Sequence, residues 1–445
     1  MTMGAPVSAP PTQRGDAVRR MARSARTTPG RLGIIASALV VLSVLTGFVA
    51  ALALQTKQNT ISNLTEHREP LAAAAQQIYR SLSDADATAS SAFLSGGLEP
   101  AVLRERYEVD MAQAGAALAK AASDIGGIPE AEKQVDTLGQ QLPVYAGLVE
   151  TARTNNRFGL PIGAAYLREA STLMRTKLLP AAQELYRIDV GRLTDEQDDA
   201  TSFPWLTVAL TVVLLGALIA TQVHLTRKTN RLVNVGLLVA TIAVGIGLIW
   251  GVAAGWVSAA AVGSARDDGS QQVDVLVQAR IVALKCRADE TLTLVARGDG
   301  AMYEKEWQEL APTISGKGGS DKDLLVKARE AATDSTISQQ VRGAIDNAQA
   351  WQEAHRQLRE LDDGGQYERA VDMAIGDKDD SAAKAFNRLD ENLSGAIQKG
   401  REKFVEATSS AENALTGLVP GVAVLALIGA GGALVGIRQR LREYR

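Results

Sequence analysis

Sulfur and imidazole are nearly missing from this sequence. One cysteine, Cys286, stands in 445 residues, which excludes an intramolecular disulfide, and the three histidines, His67, His224 and His355, are scattered. Without clustered Cys and His, no structural zinc or iron–sulfur site and no cofactor is expected. Aromatic residues make up only 4% of the chain, and proline is sparse within long stretches of Ala, Glu, Asp, Gln and Arg. Such residues lose little freedom in a helix, so the composition excludes a sheet-rich fold and predicts an all-α one. Enzyme signatures are absent as well: there is no GxxxxGK[ST], no GxGxxG after a strand, no HExxH and no GxSxG. No Ser or Thr has a His/Asp constellation to activate it. The many acidic residues then read as solvated faces of amphipathic helices, and the expectation is a protein that is not an enzyme.

Charge is missing from four long runs, Leu32–Leu54, Phe203–Val223, Leu232–Val257 and Leu415–Ile437. About 20 apolar residues cross the hydrocarbon core as a helix, and a buried helix of a soluble protein rarely runs so far uncharged. The first run is longer than the 7–15 apolar residues typical of a signal peptide. It therefore reads as an uncleaved anchor, although Ala51-Leu52-Ala53 resembles a cleavage site. The flanks divide by sign: residues 1–31, 224–231 and 438–445 carry +5, +3 and +3, whereas 55–202 and 256–414 carry −6 and −8. Lys and Arg near span ends stay in the cytoplasm. The layout is therefore a basic tail (1–31), TM1 (32–54), an extracytoplasmic bundle (55–202), TM2 (203–223), an inner loop (224–231), TM3 (232–257), a second bundle (258–414), TM4 (415–437) and an inner tail (438–445). This is a multi-pass protein of the plasma membrane with both termini inside. The Pro, Ser, Thr and Gly content of the basic tail suggests disorder, and its arginines suit anionic lipid better than nucleic acid.

The span–domain–span layout occurs twice. Residues 78–100 align without a gap on 281–303, with identities Ile78/Ile281, Ala85/Ala288, Asp86/Asp289, Thr88/Thr291 and Gly97/Gly300. Together these point to an internal repeat. Gly and Pro clusters near 96–100, 126–129, 155–161, 298–300, 316–320 and 362–365 divide each outer segment into about four helices. Apolar stripes such as Tyr107, Met111, Ala114, Leu118 and Phe386, Leu389, Leu393, Ile397 give each helix one buried face, as in four-helix bundles. Up-and-down connectivity places Gly96, Glu99, Asn156, Arg157, Asp299, Asp362 and Asp363 at turns far from the membrane.

The spans carry no ionisable residue, which argues against an ion pathway. They do carry small residues at packing spacing: Gly247, Gly251 and Gly255, then Gly417 with Gly421, and Gly432 with Gly436. Such spacing lets helices approach closely, within the chain or between copies as a homo-oligomer. Cys286 is read as a buried small residue rather than an intermolecular disulfide.

Helical domains continuous with spans resemble the sensor regions of chemoreceptors and sensor kinases, but no HAMP, kinase or cyclase segment accompanies them. The basic leader, the two acidic helical domains, the loop with Arg227, Lys228 and Arg231, and the Arg-rich tail resemble one family in particular. It is the GlnX-like four-pass membrane component of the actinobacterial system that joins a glutamine-binding-type lipoprotein to a soluble Ser/Thr kinase, protein kinase G. The resemblance implies a non-enzymatic relay: an amino-acid-loaded solute-binding lipoprotein meets the distal turns, helices shift, and the kinase reads Arg227, Lys228 and Arg231. Direct binding of a small ligand by the bundles, or a structural role without a ligand, are the competing readings.

Overall fold

The computed structural model describes residues 28–63, 69–95, 98–125, 127–202, 204–229, 234–315 and 323–442. The described residues form fifteen α-helices and two short π-helical stretches with no strand among them, and the molecule is an all-α membrane protein. By contact the chain forms two compact units. A span unit draws on residues 1–59, 202–259 and 412–445, and a polar unit on 60–201 and 260–411.

The span unit holds α1 (Thr28–Asn63), α7 (Trp205–Thr229), α8 (Val235–Ser264) and α15 (Leu418–Arg442). All four are long and apolar enough to cross a membrane. Leu39, Leu218, Leu237, Ala433 and Ile437 close an apolar core. Val41, Phe48, Val213, Ile249 and Leu427 remain exposed, as suits helices whose outer faces meet lipid rather than water.

The backbones of α8 and α15 approach closely. A Cβ on Gly236 would fall 2.6 Å from the Gly432 carbonyl oxygen and the Gly436 Cα. The Asn234 side chain locks this crossing. Its Oδ1 accepts from the Gly236 and Leu237 N–H groups at 3.1 and 3.4 Å, and its Nδ2 donates to the Gly436 carbonyl at 2.8 Å. The other glycines of the GxxxG patterns lie differently. Gly421 abuts the Trp250 ring, a Cβ on Gly247 would stand 3.5 Å from Leu425, and Gly251 and Gly255 face open space. Gly417 has φ +77° and separates α15 from the helix before it.

In the polar unit, the first half consists of α2 (Glu69–Leu94), α3 (Ala101–Asp124), α4 (Pro129–Arg157), and a last arm made of α5 (Ile162–Leu173), a π-turn (Met174–Leu178) and α6 (Leu179–Thr201). The second half begins with a π-helical stretch (Ala265–Gln271) and α9 (Gln272–Val295). It continues through α10 (Ala301–Ile314), α11 (Leu324–Ala331), α12 (Ser335–Asp363), α13 (Tyr367–Ile375) and α14 (Ala382–Leu415). The glycine breakers act as expected of αL caps. Gly159 and Gly365 take φ +67° and +73°, and the residue after each donates back to Asn155 and Leu361 at 2.9 and 2.8 Å, closing Schellman turns. Asp334 caps α12 by accepting from the Thr336 and Ile337 N–H groups.

The sequence sets the two outer segments apart as separate bundles, whereas the structure packs them as one unit. The reason lies in α9. From Ala288 to Val295 every residue is buried, and a helix buried on all sides needs neighbours on all sides. Part of that cover is α2, its counterpart in the repeat, so Ile78, Tyr79, Leu82, Leu276, Ala283 and Leu284 share a core with both halves.

Candidate functional site: the seam between the halves

Asp86 on α2 and Asp289 on α9 hold matching places in the repeat, and both are buried at this seam. Asp86 Oδ1 accepts from the Tyr145 hydroxyl at 3.1 Å and the Ser171 hydroxyl at 3.0 Å, all within the first half. Asp289 instead reaches across: Arg175, in the π-turn of the first half, donates to it and to Glu306 on α10 at 2.5 Å. The Arg175 guanidinium also stands 5.3 Å from the centre of the Tyr303 ring. A π-turn offsets helical phase by about one residue, which is one way to aim a side chain across an interface.

Two acids thus hold one guanidinium, whose charge also reaches Asp86. Burial pushes the Asp289 carboxyl up to about 7, with Arg175 opposing the shift and the Glu306 charge adding to it. Burial likewise pushes Asp86 up to about 6, tempered by the Ser171 and Tyr145 hydrogen bonds and by Arg175. Nearer the other end of the helices, Tyr186 donates to Asp274 at 3.1 Å, Gln197 to Ser270 at 3.1 Å, and Arg401 to Gln76. Every one of these bonds joins one half to the other.

Inside the second half lies a separate charged network, buried except at Glu304. Glu290 Oε2 meets His355 Nδ1 at 2.9 Å and accepts from Trp351 Nε1 at 3.2 Å, while Arg287 donates to Glu290 Oε1. His355 Nε2 faces Glu304 at 3.2 Å, and Trp307 stacks on the imidazole with centroids 3.5 Å apart. Carboxylates only accept, so both ring nitrogens donate and His355 is an imidazolium. Burial opposes that charge, but hydrogen bonds to Glu290 and Glu304 hold its pKa above the ordinary value. Burial would also raise Glu290, yet the His355 bond and the Arg287 charge hold it low.

The turn residues singled out from the sequence fall into two clusters. Glu99 pairs with Arg153 at 3.0 Å, Asn156 donates to the Phe93 carbonyl at 3.4 Å, and both line a small cleft with Arg157. Asp362 and Asp363 are clamped by Arg359 at 2.6 Å each. Their turn meets that of Asp299 through Tyr367, which donates to the Leu294 carbonyl at 3.1 Å. Arg227 is exposed near the end of α7. Gly96, Arg231, the tail up to residue 27 and the Lys228 side chain lie outside the described residues. Cys286 is fully buried, and burial pushes its thiol well above the ordinary value. Among the described residues, no group of His, Cys, Asp and Glu is placed to hold a metal ion.

Sequence reasoning missed both the Arg175–Glu306 pairing at the seam and the Glu290–His355 network inside the second half. One signal was present: Asp86 and Asp289 are acidic identities in the gapless alignment of 78–100 on 281–303.

Residues 60–198 match the model of a family described as the actinobacterial sensor domain. The match covers the first half of the polar unit, about a third of the chain, and supports an actinobacterial sensor protein. No curated protein and no solved structure matches the chain.

Proposed function

We propose that this protein is a non-enzymatic transmembrane relay, with the polar unit outside the cytoplasm and the basic loop at 224–231 and both termini inside. The relay joins an extracytoplasmic amino-acid-binding lipoprotein to a cytoplasmic Ser/Thr kinase. The observation that carries the reading is the seam. Two halves, one matching a sensor domain, are tied by buried ion pairs and hydrogen bonds, and the relay requires that these exchange partners. A signal needs two packings of different affinity for the partner. Sliding of packed helices supplies them with small displacements. Support for the orientation comes from the basic flanks of the spans against the acidic polar unit. The clusters around Glu99, Asn156 and Arg157 and around Asp299, Asp362 and Asp363 are the contact surface for the lipoprotein in this reading; Arg227, Lys228 and Arg231 are that for the kinase.

The test is capture of the full-length protein from detergent-solubilised membranes, with and without amino acids, followed by mass spectrometry. A solute-binding lipoprotein and a soluble kinase are expected among the partners. Recovery of the chain with itself alone would remove the relay.

A further inference from the structure

A cavity of about 90 Å³ opens in the seam between the two halves. A cavity needs about 10–15 Å³ on this measure to hold a single water, so this one is large enough for more than one. Its floor is apolar, from Leu179, Pro180, Leu284 and Ala288, and its polar rim is drawn from both halves: Ser83, Asp86, Arg175 and Gln183 from the first, Lys285 and Glu306 from the second.

One buried polar group on this rim is not satisfied by the protein, and a partly exposed cation stands beside it. The Ser83 hydroxyl is on a side chain only 3% exposed and has no hydrogen-bond partner. Among the described residues, the Lys285 ammonium makes no hydrogen bond or ion pair. Buried polar groups are almost always paired, so an orphaned hydroxyl on a cavity wall calls for an occupant. The Lys285 ammonium can only donate and the Ser83 hydroxyl is free to donate, while the Arg175 guanidinium is already engaged by Asp289 and Glu306. The complementary group is an anion with acceptor oxygens. Asp86 and Glu306, across the same space, suit a donor on the occupant.

We infer that the seam cavity binds a small organic acid, its carboxylate held by Lys285 and Ser83 and its body resting on Leu284 and Ala288. Such a molecule touches both halves at once and therefore favours the packing in which they are closed on it. The site does not depend on the relay, since binding is read on the purified chain with no partner present.

The experiment is isothermal titration of the full-length protein in detergent with lactate, pyruvate, alanine, serine and, as a control without a carboxylate, lactamide. At least one acid is expected to bind and lactamide is not. Lys285→Met and Ser83→Ala should each weaken that binding, the former by about tenfold or more, since a charge-assisted bond is removed. The unliganded melting temperatures should stay close to that of the parent, which keeps a loss of binding distinct from a loss of fold. Binding by alanine or serine alone would assign the ammonium to Asp86 and Glu306; binding by lactate or pyruvate as well would show the carboxylate alone to be read. Either outcome supports the site. No heat from any acid up to about 10 mM, or binding indifferent to both substitutions, overturns it and leaves the cavity to water.

Discussion

At the scale of single residues, burial and charge are in open conflict at Asp86. A folded-state pKa near 6 against an ordinary 3.8 means that the folded state holds a proton that the unfolded state has lost. Stability from this group is present below about pH 4 and declines as pH rises towards 6, where the carboxylate forms. One pKa unit is about 1.4 kcal/mol, so the penalty at pH 8 is at most about 3 kcal/mol. Asp86→Asn keeps an acceptor for Tyr145 and Ser171 without the charge. The variant should match the parent below about pH 4, begin to exceed it by about pH 5 and exceed it most at about pH 8, as read by thermal unfolding in detergent. His355 runs differently. Its pKa is raised, so its contribution is complete below about 6.5 and is lost as pH climbs through the folded value. His355→Ala leaves Glu290 buried with only Arg287 as a charged partner, a loss of about 3–5 kcal/mol by the usual cost of breaking a buried pair. Chemical unfolding of the variant at pH 6 would show that full loss, and at pH 9 a smaller one.

At the scale of helices, the glycines of the spans separate by what faces them. Gly236 and Gly436 lie against backbone, so a methyl group on either forces α8 and α15 apart, and overpacking of this kind costs about 1–3 kcal/mol. Gly251→Ala and Gly255→Ala place the same methyl in open space and should leave the melting temperature of the monomer in detergent unchanged. Equal destabilisation by both sets would contradict the crossing described here. The contrast also shows how far the sequence can be read. Runs without charge locate the spans, because hydrocarbon tolerates little else. Glycine spacing marks surfaces that allow close approach, but it does not say which are used. Gly236 belongs to no GxxxG pair in α8, and its role comes from Asn234, a polar residue that the hydropathy of the run conceals. In the polar unit the breakers at Gly159 and Gly365 are legible because left-handed turns demand glycine. The seam is not, since Arg175 looks like any surface arginine until the π-turn aims it across 114 residues of sequence to Asp289.

At the scale of the whole molecule, the coupling of the halves comes to rest on that arginine. The Asp289 side chain is fully buried, and its second oxygen, Oδ2, has no hydrogen-bond partner. Removing the guanidinium by Arg175→Met would strand Asp289 beside Glu306 in the core. Losing one partner of a buried pair typically costs about 3–5 kcal/mol. A proton can relieve most of it, because a carboxyl already pushed up to about 7 rises further once its cation is gone. The expected result is therefore specific in pH: Arg175→Met is strongly destabilised at pH 8 and much less so at pH 5. The double variant with Asp289→Asn should recover most of the loss at pH 8, since it removes the stranded charge. Limited proteolysis reports the same event locally, with cleavage in the turns flanking α2 and α9 rising in the single variant at pH 8 and falling back in the double. If Arg175 acted only by packing over Tyr303, the loss would be equal at both pH values and Asp289→Asn would rescue nothing. The seam would then be held by shape, and a proton or a small acid would have no charge through which to move it.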